Sequence, residues 1–195
     1  MMDEIIEKIE NEIQVLNREP CIIAIDGRCA SGKTTLAKEL SKHLDCSVVH
    51  MDDFFLQPYQ RTSKRLSEAG GNIDYERFLI DVIHPIKKGT AFSYHPFDCH
   101  SFTFSDEIKV DLTGVIIIEG TYSCHPKFKD IYDLKIFLDI DCAQQLERIE
   151  KRNGKQQLSA FKDKWIPLEE KYFEAFCIKE KCDMYFELKS EKKHL

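Results

Sequence analysis

Residues 27–34 read Gly-Arg-Cys-Ala-Ser-Gly-Lys-Thr and meet every fixed position of the pattern G-x-x-x-x-G-K-[ST]. The chemistry of such a stretch is anion binding. Glycine lets the chain turn tightly around a phosphate, with backbone N–H groups pointing inward. A helix that starts there adds the positive end of its dipole. The pattern places Gly27, Arg28, Cys29, Ala30, Ser31, Gly32, Lys33, Thr34 and Thr35 around the phosphates of a nucleotide. Lys33 is expected to reach the β- and γ-phosphates, and the Thr34 hydroxyl to hold Mg²⁺.

The other chemistry-bearing residues stand at the ends of apolar runs. Asp52 and Asp53 follow the run Cys46-Ser47-Val48-Val49-His50-Met51. Adjacent carboxylates there either face a ligand at the C-terminal edge of a sheet or cap the next turn. Glu119 ends Val115-Ile116-Ile117-Ile118, where an acid can hold Mg²⁺ directly or through water. Arg148 and Arg152 are four apart and share one helix face, where planar guanidinium forks suit phosphate oxygens.

The intervening elements must bring these groups together. Residues 3–17 have the apolar spacing of an amphipathic helix, with Ile5, Ile6, Ile9, Ile13 and Leu16 on one side. Cys21-Ile22-Ile23-Ala24-Ile25-Asp26 reads as a buried strand feeding the loop. The helix after the loop carries Leu36, Ala37, Leu40 and Leu44 at helical spacing. Strand, glycine loop and helix form the context that the pattern requires. Further strands are expected at 133–140 and 184–188, and a helix at 142–152 stopped by Asn153-Gly154. Residues 158–181 read as a long helix interrupted at Pro167, and the charged tail after it as frayed.

The middle of the chain has another texture. Residues 56–73 read as a mobile polar loop, and 74–83 as a helix capped by Asp74 and closed after Lys87-Lys88 by Gly89. Residues 91–104 interleave aromatic and polar side chains, as two short strands of a hairpin would, with 108–112 beside them. Tyr94, Asp98 and His100 of this insert either rim a substrate pocket or belong to a satellite core and its surface.

Composition bounds the rest. The 195 residues suffice for one α/β domain with its own core. Hydrophobic content of 43% and charged content of 32% describe an ordinary globular chain. A net charge of −6 argues against a nucleic-acid partner. No apolar run has the length of a membrane span, and the acidic N-terminus is unlike a signal peptide. The eight cysteines are scattered without a C-x-x-C pair, which reads as reduced thiols and a cytoplasmic protein.

Together, the phosphate loop, Asp52-Asp53-Phe54-Phe55, Ile117-Ile118-Glu119-Gly120 and the arginine helix resemble the uridine kinase and nicotinamide riboside kinase group of small-molecule kinases. The resemblance covers most of residues 21–188 and is loosest at 56–112. It implies a P-loop fold: a five-stranded parallel sheet flanked by helices, with a lid near 148–160 and a substrate-side insert at 56–112. It implies transfer of the ATP γ-phosphoryl group to a primary hydroxyl of a ribonucleoside such as uridine or cytidine, with ATP and Mg²⁺ as cofactors. In that reading Asp52 is the base, Glu119 joins Thr34 at the magnesium site, and Arg148 and Arg152 are lid arginines. Asp98 and His100 match a nucleoside-holding segment in part, since Phe97 replaces a family tyrosine and the spacing differs, and Asp74, in Asn72-Ile73-Asp74, matches a substrate-side Asp. The group also often self-associates.

The residues leave two alternatives. A switch-type GTPase needs an N-K-x-D motif, which is absent, and Asp111-Leu112-Thr113-Gly114 precedes its apolar strand instead of following it. A kinase of the same fold acting on nicotinamide riboside, pantothenate or a sugar phosphate is the other. Arg61, Lys64 and Arg65 would supply the basic pocket that a sugar phosphate requires.

Overall fold

A computed structural model describes residues 2–99 and 101–188. His100 and the charged tail after Leu188 lie outside the described residues. Strand β1 (Cys21–Gly27) is buried along its whole length at the centre of a five-stranded sheet. Its neighbours are β7 (Val115–Glu119) and β8 (Leu134–Asp139), flanked in turn by β2 (Cys46–His50) and β9 (Met184–Glu187). Every pairing in this sheet is parallel. Both faces are covered, so the strands read as continuous apolar runs.

Successive β1 residues serve opposite faces. Ile22 packs with Ile116, Phe54, Phe78 and Tyr172 on one side. Ile23 and Ile25 pack with Ile117, Ile9, Leu36 and Leu40 on the other. Helices α1 (Met2–Leu16) and α2 (Lys33–His43) cover that second face.

The segment at 56–73 is not a plain loop. It holds a short helix, α3 (Ser63–Ser67), and its end is packed, with Asn72 and Ile73 buried. Arg65 organises it by donating to the Gly71 and Ile73 carbonyls and pairing with both Glu76 oxygens. The expected helix beyond it runs as α4 (Tyr75–Phe78), a π turn over Leu79–Ile83, and α5 (His84–Lys88), with Gly89 closing it at φ 67°.

The aromatic insert also departs from expectation. The strands β3 (Phe92–Tyr94) and β6 (Ile108–Val110) pair with each other, enclosing an inner pair, β4 (Phe97–Asp98) and β5 (Thr103–Phe104). The pairing is nested because Tyr94 faces the core beside Phe54 while Phe104 stays exposed.

After β8 come α6 (Cys142–Asn153), α7 (Lys155–Ala160), a π turn over Phe161–Trp165, and α8 (Ile166–Phe176). Pro167 does not interrupt the helix. It sits in the first turn of α8, where the wider preceding turn accommodates a residue without an N–H. The helix ends at Phe176 because Cys177 turns left-handed at φ 50°.

Candidate active site

The C-terminal ends of β1, β2 and β7 open on one edge of the sheet, and the chemistry gathers there. Gly27 leaves β1 at φ 137°, and a Cβ on it would lie 2.0 Å from the Leu138 carbonyl oxygen. Only glycine lets the loop depart so close to β8. Gly32 caps α2 at φ 105° without a side-chain hydrogen bond, so the first N–H groups of the helix are left for an anion. The Ser31 hydroxyl is wholly buried and has no hydrogen-bond partner among the described residues. Lys33 donates to the carbonyls of Gly27 and Arg28, each at 2.8 Å.

Thr34 and Glu119 meet. The Thr34 hydroxyl donates to Glu119 Oε1 at 3.0 Å, and His50 Nδ1 lies 2.6 Å from the same oxygen. Glu119 is buried at the tip of β7. These hard oxygens suit Mg²⁺, which takes few protein ligands and completes its shell with water and phosphate oxygens. Among the described residues no group of three His, Cys, Asp or Glu side chains is placed to hold a metal ion.

Asp52 and Asp53 occupy the 3₁₀ turn that follows β2 and face different neighbours. Asp52 is accessible to solvent on the loop side. The protein crowded around it pushes its carboxyl above the ordinary range. Lys33 and Arg152 oppose that rise, and Glu119 and Asp53 reinforce it. Asp53 accepts the Tyr94 hydroxyl at 3.1 Å, and burial raises its carboxyl too.

A family model described as an AAA domain matches residues 23–165. Uridine kinase of Staphylococcus aureus is 31% identical over 147 residues, covering 70% of this chain and 70% of that protein. The chain belongs to the uridine kinase-like P-loop kinases, within the AAA domain family. Human nicotinamide riboside kinase 1 is 34% identical over 122 residues, covering 61% of this chain and 58% of that protein. Uridine kinase-like protein 4 of Arabidopsis thaliana is 26% identical, with 72% of this chain and only 32% of that longer protein covered. The fold is shared with a possible uridine kinase from Bacillus stearothermophilus, at TM-score 0.69 and 21% identity over 95% of this chain and 96% of the other. D-glycerate 3-kinase from Cryptococcus neoformans shares it at TM-score 0.62 and 13% identity, with 94% and 95% covered.

In this kinase-family chain the remaining candidate residues fall into two groups. Arg148 and Arg152 lie over the loop: Arg148 Nη1 donates to the Ala30 carbonyl at 3.2 Å, and Arg152 Nη2 lies 3.3 Å from the Cys29 sulfur. The insert-side residues are spread further. Tyr94 is buried against Phe54 with its hydroxyl on Asp53. Asp98 accepts the Ser101 hydroxyl at 2.8 Å. Asp74 is buried, accepts the Arg77 N–H at 3.0 Å as the cap of α4, and stands 3.8 Å from the Arg77 guanidinium.

The Arg28 side chain turns away from the loop's mouth to Asp139 and Glu170, leaving its backbone as its contribution to the cradle. The proposed basic pocket is also partly spent. Arg65 is committed to Glu76 and lies over the Tyr75 ring, while Arg61 stays over Phe102 beside Cys99.

Sequence reasoning missed four residues here. Asp26 is fully buried directly before the loop and accepts from the N–H groups of Gly27, Tyr122 and Cys124 and from the Tyr172 hydroxyl. An acid closing an apolar strand was the signal that could have marked it. His50, one residue before the β2 turn, carried a weaker one. Glu169 and Glu170 carried none, because their partners lie about 140 residues earlier in the chain.

Proposed function

We propose that this chain transfers the γ-phosphoryl group of ATP, with Mg²⁺, to the 5′-hydroxyl of a ribonucleoside, uridine or cytidine first among them. The observation that carries the reading is the convergence of Thr34 and Glu119 beside the phosphate loop, with Asp52 at the same edge of the sheet. Thr34 and Glu119 would hold Mg²⁺, which supplies charge neutralisation at the phosphates. The loop N–H groups, Lys33 and the two arginines orient the donor. Asp52 accepts the proton of the acceptor hydroxyl as its oxygen bonds to the γ-phosphorus. The bond to the β,γ-bridging oxygen breaks and ADP leaves. Phosphoryl transfer needs mainly alignment and charge stabilisation, and this constellation supplies both.

In this reading acceptor choice belongs to the insert: Tyr94, buried with its hydroxyl on Asp53, would position that carboxylate, and Asp98 is the insert's candidate contact to the acceptor. Another hydroxylated metabolite, such as nicotinamide riboside, is the competing acceptor, favoured by the likeness to nicotinamide riboside kinase 1. No helix among the described residues is long and apolar enough to cross a membrane. Incubation with ATP, Mg²⁺ and a panel of ribosides, pantothenate and sugar phosphates, followed by mass detection of the phosphorylated product, tests the reading. Turnover of a pyrimidine riboside above the rest is the expected result. Absence of turnover on every member would overturn it.

A further inference from the structure

The phosphate loop already carries an anion of the protein's own. Glu169, on α8, accepts the Cys29 N–H at 3.0 Å and is only 5% exposed. The Cys29 peptide is gripped from its other side as well, since Gln145 of α6 donates to its carbonyl at 3.2 Å. The next residue, Glu170, holds the Arg28 guanidinium with both oxygens. Two helices thus pin the first turn of the loop, and one pin is a buried carboxylate in a site whose other donors face phosphate. Such an arrangement opposes the ligand for which the loop is shaped, because like charges in a desolvated site repel strongly.

We propose that Glu169 is a positioning residue of the nucleotide site, a built-in anion seated on the loop that takes up a proton when the nucleotide phosphates arrive. The proposal rests on the nucleotide-binding reading above. The proton comes from solvent and goes to the Glu169 carboxyl; no bond between heavy atoms changes.

The surroundings set the balance. Lys33 of α2 and the Cys29 N–H favour the charged form. Glu170 on the same helix and Asp26 at the end of β1 oppose it, and the Tyr122 phenol and the Cys29 thiol face it as uncharged groups. Burial outweighs these and pushes the carboxyl up to about 7, so small changes in nearby charge shift its protonation. Arrival of phosphate raises it further. Affinity for the nucleotide is then greatest on the acid side and falls as pH rises through the carboxyl's titration.

Calorimetric titration of ATP with excess Mg²⁺ and no acceptor, in buffers of different ionisation enthalpy, reads the protons taken up. Wild type is expected to take up a fraction of a proton near neutral pH. Glu169→Gln keeps an oxygen for the Cys29 N–H but has no charge. It is expected to lose that uptake and to bind ATP several-fold more tightly than wild type at alkaline pH. Glu169→Ala serves as a second variant: it should lose the uptake too, but bind more weakly than Glu169→Gln because the loop is unpinned. Equal proton uptake in wild type and either folded variant would overturn the proposal, as would ATP binding by wild type with no uptake at all. A purely structural Glu169 would alter affinity without altering uptake. Wild type that binds no ATP would remove the nucleotide reading itself.

Discussion

The hydroxyl of Thr34, the second residue of α2, donates to the carboxylate of Glu119 at the tip of β7 across 3.0 Å. Eighty-five positions separate the two in the chain. The parallel register of β1 with β7, which sets Ile25 opposite Glu119, fixes their meeting. His50, opposite Glu119 from the β2 side, holds the same oxygen and so orients the carboxylate. Replacing Glu119 with Gln keeps the shape and removes the charge. The Mg²⁺ concentration needed for half-maximal rate is expected to rise at least about 10-fold, since even outer partners of metal ligands have effects of that size. Initial rates across a Mg²⁺ titration check this. An unchanged Mg²⁺ requirement would take Glu119 out of the metal site.

Asp52 and Asp53 are neighbours in sequence with different surroundings: Asp53 accepts the Tyr94 hydroxyl, while the charges acting on Asp52 include Lys33 and Arg152. Asp52→Asn is expected to leave ATP affinity nearly intact and lower turnover about 10²-fold or more. As the proposed base, Asp52 must be ionised to accept a proton, so wild-type turnover should rise with pH. The protein crowded around it first, then Glu119 and Asp53, raises the Asp52 carboxyl, so the rise should fall at a higher pH than for an ordinary aspartate. Steady-state rates of both forms across pH decide the matter. An acid limb that persists unchanged in Asp52→Asn would belong to another group.

How much of this was legible beforehand follows from the range of each interaction. The phosphate loop, the apolar strands and the Asp74 cap are local: each depends on residues within a few positions, and each was read in place. The tip residue Glu119 was found because burial on both faces of a parallel sheet leaves an unbroken apolar run ending in an acid; β9, half exposed at the edge, was found from its apolar and aromatic run alone. The nested pairing of β3 with β6 was not legible, since alternation along 91–104 fits a simple hairpin equally well and only the packing of Tyr94 on Phe54 distinguishes them. Pro167 misled for a related reason. A proline marks a local conflict, but the π turn over Phe161–Trp165 places Pro167 in the first turn of α8, where the chain stays helical through it. The Glu169 contact with Cys29 has no local signature at all.

His125 is shifted in the opposite direction to Asp52, and its prediction concerns stability. It lies in the turn after β7, 4% exposed, among the rings of Tyr75, Phe128, Tyr172 and Phe176 at centroid distances of 5.3–6.2 Å. Gly70 abuts it so closely that a Cβ there would come within 2.8 Å of the imidazole, which ties the 56–73 segment to α8 through this one ring. Burial, then the Lys127 charge, lowers the imidazole from its usual 6.5 to about 4. The folded protein therefore holds the neutral ring while the unfolded chain, at the ordinary value, binds a proton more readily. Its contribution to stability is complete above the unfolded value of 6.5 and is lost progressively as pH falls towards about 4. Urea unfolding across that window should show wild-type stability declining with acidity. His125→Phe should begin less stable, because the Nδ1 acceptor for the Lys127 N–H is gone, yet decline less steeply between those two pH values. Carboxylates elsewhere titrate in both proteins and cancel in the difference, so parallel curves for the two would show that this ring is not the group the acid must protonate to open the fold.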